Sequence, residues 1–267
     1  MTATAVRTTT DQPSVTAKLR ARLESEQRAV TAEIEALDAF VDRIEGVPVR
    51  TQAPVGRIRG PDHGGGRPGL EQVREAYEET VMSVPHYDAD YGDTYRESVV
   101  VEFGPEVGTA LTQGPGFQAH LKRATIGKAR SCRADREQFL EVLAIESESI
   151  AAVGDELRSI RTELQEFDSG SASTRGYGAL EAEWRRLDVL GGTVDRVATT
   201  RQQSIIRQRR EFTIPSSAPD VPTYLYHEFD DAYPLLSACV TAQTRIERYK
   251  SERERGLAGR SPAHSTA

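Results

Sequence analysis

The sequence predicts an all-α protein, an elongated antiparallel bundle or coiled coil of about four long helices with a group of short helices inserted into it. Three observations predict it. Apolar residues recur in alternating steps of three and four along several long segments, the seam spacing of packed helices. Clusters of glycine, proline and serine punctuate those segments and stop helices without starting strands. Apolar residues make up 37% of the 267-residue chain and charged residues 28%, a balance that suits long helices with wide solvated faces.

Residues 1–13 are Thr-rich without an apolar core and read as a disordered N-terminus. The segment 14–45 carries the cleanest seam, with Leu23, Gln27, Val30, Ile34, Leu37, Val41 and Ile44 in heptad register, and Gly46 with Pro48 stops it. Over 46–69 the composition turns to Gly, Pro and Arg, including Gly64-Gly65-Gly66, which is that of a flexible linker.

Residues 70–116 read as a short-helix subdomain. Leu70 to Met82 places Val73, Tyr77 and Val81 on one stripe, and Pro85 ends it. The Tyr/Asp loop His86-Tyr87-Asp88-Ala89-Asp90-Tyr91-Gly92-Asp93 follows. Thr94 and Glu97 have the spacing of a capping box, which predicts a helix to about Phe103. A short strand over Ser98–Val101 is the competing reading.

Residues 117–255 read as the long-helix bundle. From Phe139 the seam runs through Leu143, Ile150, Val153, Leu157, Ile160, Leu164 and Phe167, with Glu146 as its one polar member and Leu157 as a core position. Gly127 is expected to divide this segment in two. After a Gly/Ser turn, 179–212 resumes with Leu180, Trp184, Leu187, Val194, Val197 and Ile205, interrupted at Gly191-Gly192. The last helix, 222–255, carries Leu225, Phe229, Ala232, Leu236, Cys239, Gln243 and Ile246, with a kink expected at Pro234. Short turns make these neighbours antiparallel, and 256–267 reads as a disordered tail.

Asp plus Glu total 41 against 34 Lys plus Arg, a net charge of −7, so the chain as a whole lacks the basic footprint of a nucleic-acid binder. Four of the cations are lysine (Lys18, Lys122, Lys128, Lys250), and this arginine preference with an acid excess suits a salt-adapted source. No run approaches the ~18 apolar residues that a membrane-spanning helix needs, and the protein reads as cytoplasmic. Cys132 and Cys239 fall on helices, where burial as small hydrophobes is expected.

The run Val73-Arg74-Glu75-Ala76-Tyr77-Glu78-Glu79-Thr80-Val81-Met82, then Val84-Pro85-His86-Tyr87-Asp88 and Tyr91-Gly92-Asp93, with Tyr224-Leu225-Tyr226 and Tyr233-Pro234-Leu235-Leu236 later, resembles an uncharacterised haloarchaeal family. The resemblance spans most of the chain. It implies no activity, cofactor or site residue.

The carboxylates Asp88, Asp90, Asp93 and Glu97 with His86 have the look of a cation loop. An EF-hand, however, needs oxygen ligands at positions 1, 3 and 5 and Glu at 12. Counted from Asp88, Gly92 stands at the fifth position and Val99 at the twelfth, so the frame fails and no metal ligand is assigned. The histidines His63, His86, His120, His227 and His264 form no pair one helical turn apart. Gly64-Gly65-Gly66-Arg67-Pro68-Gly69 lacks the Gly-Lys-Ser/Thr ending of a phosphate loop, and no Gly-x-Ser-x-Gly elbow occurs. No catalytic residue and no cofactor is therefore expected.

Two surfaces remain. His86, Tyr87, Asp88, Asp90, Tyr91 and Asp93 form a candidate docking surface, because carboxylates need solvent while tyrosine offers apolar area with a polar tip; burial of both tyrosines to pin the short helices is the competing reading. Arg201, Arg207, Arg209 and Arg210 form a candidate basic patch, matched to the helix C-terminal dipole or to an acidic partner. The sequence thus points to a non-enzymatic helical interaction or scaffold protein with a protein partner or self-association. A nucleic-acid-associated regulator using the Arg-rich helix ends is the alternative, and a metal-dependent enzyme at the Asp-rich loop a third.

Overall fold

The computed structural model describes residues 14–49, 68–168, 175–212 and 218–259. Their regular structure is helical: α1 (Val15–Gly46), α2 (Pro68–Glu78), a 3-10 turn (Val81–Ser83), α3 (Tyr87–Asp90), α4 (Tyr95–Gln113), α5 (Ala119–Asp168), α6 (Tyr177–Glu211), α7 (Val221–Leu225) and α8 (Pro234–Ala258). Among the described residues there is no strand, and Ser98–Val101 lie inside α4. The expected disordered N-terminus, residues 50–67 of the expected linker and the last residues of the expected tail lie outside the described residues, while 256–258 continue α8.

The chain divides into two compact units, one of residues 1–24 and 142–267, the other Ser25–Glu141. The helices α1 and α5 contribute residues to each.

In the first unit, α6 runs antiparallel to both of its neighbours. Arg186 reaches back to Glu163 at 2.6 Å and Glu166 at 2.7 Å on α5. Toward α8, the Trp184 indole donates to Glu254 at 2.8 Å and Lys250 to Asp188 at 2.9 Å. Gly191 does not interrupt α6: the side chains of Gln243 and Ile246 stand 3.5–3.7 Å from where its Cβ would be, so it admits α8 closely. Gly154 does the same for the start of α1, since a Cβ there would meet the Thr16 side chain at 2.5 Å.

The expected seam of α5 is buried at Ile150, Val153, Ile160 and Leu164. Leu157 is the exception. It is half-buried and lines a groove of about 450 Å³ with the start of α1 (Val15, Lys18) and of α8 (Leu235, Ala238), so the bundle does not close over it. Two further expectations need correction. Gly127 lies within an unbroken α5, its helical cost of about 1 kcal/mol carried by buried neighbours such as Thr125 and Ala129. Pro234 starts α8 and does not kink it, because at the first helical position its missing N–H would have no partner anyway.

Glu146, the polar member of the seam, is fully buried. Arg201 of α6, 3% exposed, grips it with two hydrogen bonds of 2.8 and 2.7 Å. The Gln208 amide and the Tyr226 hydroxyl also donate to it, at 3.1 and 2.9 Å. A buried charge survives only when paired and saturated with donors, and this carboxylate has four. Burial and the adjacent Glu146 charge push the Tyr226 hydroxyl well above the usual phenol range.

The second unit packs α1 against α2, α4 and the first half of α5. Its core includes Leu37, Phe40, Ile44, Val73, Tyr77 and Phe103. Phe40 is at the centre, with Tyr77 edge-on at 5.4 Å and Phe103 stacked at 5.7 Å. Phe40 lies outside the heptad positions of α1, whose buried stripe is wider than a two-helix seam because it faces several neighbours. Ion pairs Glu45–Arg130 at 2.9 Å, Asp38–Arg133 at 2.8 Å and Glu33–Arg136 at 2.6 Å make α1 and α5 antiparallel here.

The helix α4 begins at the expected capping box: the Thr94 hydroxyl accepts from the Glu97 amide and the Glu97 carboxylate accepts from the Thr94 amide at 3.0 Å. It runs past Phe103 to Gln113, but breaks at Gly104, whose φ of 83° is open to glycine without strain. The break folds the second half onto the first. A Cβ on Gly108 would stand 2.7 Å from the Val100 Cα, so only glycine fits this crossing.

Candidate docking face around Glu33

The Tyr/Asp loop is anchored by a residue far away in sequence. His86 and Tyr91, at the two ends of α3, both bind Glu33 of α1: His86 Nε2 lies 2.9 Å from Glu33 Oε1, and the Tyr91 hydroxyl donates to the same oxygen at 2.8 Å. Glu33 Oε2 accepts from Arg136 Nε at 2.6 Å. The remaining face of the Arg136 guanidinium is bidentate on Glu102 of α4, at 2.7 and 3.1 Å. One chain of charges thus ties α1, α3, α4 and α5 together, in the planar fork geometry that arginine offers and lysine does not.

Burial opposes the charged form of Glu33, but hydrogen bonds from His86, Arg136 and Tyr91 and the Arg136 charge outweigh it and hold the carboxyl below its ordinary value. A depressed carboxyl stabilises the fold fully above the unfolded value of 4.5, and that stabilisation is lost as the pH falls through the lower folded value. Unfolding of wild type and Glu33→Gln by urea, compared between about pH 5 and 3, should show the wild type losing its advantage over the variant. Parallel pH profiles for the two proteins would refute the assignment.

Beside this chain of charges lies a cleft of about 50 Å³, lined by Glu33, Tyr77, Tyr87, Tyr91, Asp93, Ser98, Val101, Glu102 and Arg136 among others. Tyr91 is 51% and Val101 78% exposed, so the cleft has an apolar, solvent-facing rim. The Ser98 hydroxyl is engaged with that of Tyr77 at 2.9 Å. The Cys132 thiol, which donates to the Glu102 carbonyl at 3.1 Å, is pushed up to about 11 by burial and the Glu102 charge, so near neutral pH it is a thiol and a weak nucleophile. Among the described residues no group of three or more His, Cys, Asp or Glu is arranged to hold a metal ion.

The six expected docking residues divide. Asp88, Asp90 and Tyr91 are exposed, His86 and Asp93 half-buried, and Tyr87 is buried, so Tyr87 pins α3 while Tyr91 faces solvent. Glu33, Arg136, Glu102 and Val101 escaped sequence reasoning. A signal existed for Arg136, which stands one heptad before Leu143 and so puts a charge on a seam position. The four expected basic residues do not form one surface. Arg201 is interior, bound to Glu146; Arg209 donates to the Ala218 carbonyl at 3.0 Å; Arg207 and Arg210 are exposed, with Arg207 3.9 Å from Glu211. Arg201 was misassigned because its heptad partner Glu146 lies on another helix.

Among the described residues no helix is long and apolar enough to cross a membrane. A family model described only as a domain of unknown function matches residues 14–250. No curated protein and no solved structure matches the chain.

Proposed function

Since the chain belongs to that family, DUF7260, whose description assigns no activity, we propose that it is a non-enzymatic interaction protein and that a protein partner docks on the face around Tyr91 and Val101. One observation carries this reading: two exposed side chains, one aromatic and one aliphatic, rim a cleft in which Glu33, Glu102 and Arg136 are already fixed by one another. A preorganised polar floor under an apolar rim lets a partner bury area without first ordering the site. The acidic, lysine-poor composition supports a high-salt setting. There the Debye length falls to about 3 Å at 1 M salt, so recognition has to rest on desolvated contact.

The test compares Val101→Asp and Tyr91→Ala with Val189→Asp, a variant at a 71% exposed position of α6. A partner complex isolated with the wild-type protein should be lost with the first two variants and kept with the third, and the two aspartate variants, which break no hydrogen bond of the fold, should melt as the wild type does. Retention of the complex by Val101→Asp would overturn the assignment of the face. A wild-type protein that sediments as a dimer, and as a monomer after Val101→Asp, would identify the partner as a second copy.

A further inference from the structure

The groove that leaves Leu157 half-covered lies wholly within the unit of residues 1–24 and 142–267. Its volume of about 450 Å³ falls within the roughly 300–1,000 Å³ of small-molecule sites, which are mostly apolar with a few placed polar groups. Two turns of helix, about 10 Å across and 11 Å long, would need about 850 Å³, so the groove suits a single chain better than a docking helix. Its apolar lining includes Leu157, Leu164, Leu235, Ala238 and Ala242. Leu157 holds a heptad position of α5, so the fold builds an apolar wall here and leaves part of it without cover.

Charge is unevenly placed along it. Among the described residues, the cations Lys18, Arg161 and Arg245 and the carboxylates Asp230 and Asp231 line the groove. Because α6 is antiparallel to both α5 and α8, those two helices run the same way. Arg161 and Arg245 therefore stand toward one end of the groove, and Asp230 and Asp231, which precede α8, toward the other. The acids have a local account, since the helix dipole favours negative charge at the start of α8. Arg161 has none: it is exposed and makes no ion pair among the described residues, and the positions one turn away on α5 are Leu157, Arg158, Leu164 and Gln165. Arg245, half-buried, donates to the Tyr249 hydroxyl at 3.4 Å and likewise has no acid one turn away on its own helix. Guanidinium groups match carboxylate and phosphate in bidentate geometry, so an apolar trough ending at two of them is complementary to an apolar chain with an anionic head.

We propose that this groove binds a free amphiphile, an apolar chain with a carboxylate or phosphate head, with the head at Arg161 and Arg245 and the chain along Leu157, Leu235 and Ala238. The site is independent of the docking face around Tyr91 and Val101, which lies in the other unit.

The experiment titrates the full chain with sodium decanoate, below its micellar concentration, by isothermal titration calorimetry. Acetate and decyltrimethylammonium serve as probes that lack the chain or the negative head. Saturable binding is expected for decanoate and for neither of the others. Arg161→Glu, at an exposed position, should weaken that binding at least about tenfold, roughly 1.4 kcal/mol; Arg161→Lys should weaken it less, and Leu157→Trp, which fills the trough, should abolish it. Val101→Asp, in the other unit, should bind decanoate as the wild type does. Wild-type affinity in Arg161→Glu, or equal binding of decyltrimethylammonium, would overturn the proposal. So would a wild-type protein that sediments as a dimer and separates on Leu157→Trp, which would make a second copy the occupant. Uptake on anionic phospholipid vesicles without saturable decanoate binding would overturn it too, in favour of a membrane surface.

Discussion

Arg201→Ala is expected to destabilise the unit formed by residues 1–24 and 142–267 by about 3–5 kcal/mol. It leaves a fully buried carboxylate with two neutral donors, Gln208 and Tyr226, in place of a bidentate guanidinium. Most of the effect is the desolvation of an uncompensated charge, not the attraction lost. The double variant Glu146→Leu with Arg201→Met removes both charges at similar volume and should therefore recover much of the loss, since apolar replacements of buried ion pairs are often neutral. Denaturant titration of Arg201→Ala and the double variant tests this. A loss below about 1 kcal/mol in Arg201→Ala, which is the range of exposed pairs, would mean that Glu146 is not held as the structure shows.

Phe40→Ala should cost the unit Ser25–Glu141 a similar amount, about 3–5 kcal/mol. The ring is completely buried and meets two aromatic neighbours, so truncation loses the burial of a large apolar side chain, the edge and stacking contacts, and close packing around the void. Phe40→Leu keeps most of the volume and should cost far less, under about 1.5 kcal/mol if the site repacks. Thermal melting separates the two, with a shift on the order of 10 °C expected for the alanine variant. An alanine variant that melts like the leucine one would place Phe40 outside the core.

The sequence was most legible where chemistry is local. Periodicity located the long helices because each must bury a continuous stripe, and Thr94 with Glu97 announced the start of α4 because a capping box closes within four residues. Glu146 was conspicuous as a charge on an apolar seam, but its partners lie 55, 62 and 80 positions away, and nothing in a one-dimensional pattern pairs them. The same limit hid the site. His86 and Tyr91 were picked out by type, whereas Glu33, 53 positions before His86, looked like one more solvated acid on α1. Leu157 misled for another reason: a heptad position states which way a side chain faces on its helix, not whether another element covers it. Gly127 and Gly191 were read as breaks and Pro234 as a kink, but α5 and α6 run on through the two glycines and the proline begins a helix.

The order of the two units along the chain governs how it can reach this structure. Thr16 and Gly154 meet within the first unit with the whole of Ser25–Glu141 between them. Closing so long a loop in an unfolded chain costs roughly 4 kcal/mol of entropy before any contact rewards it. The second unit is contiguous, and its own ends are drawn together when Glu33 meets Arg136. Were it to fold first, the loop would be closed in advance, and the first unit would inherit a short search in place of a long one. With the contiguous unit folded first, the contacts that hold α1 against α5 within Ser25–Glu141 would act as a kinetic template for a core to which they contribute no side chain.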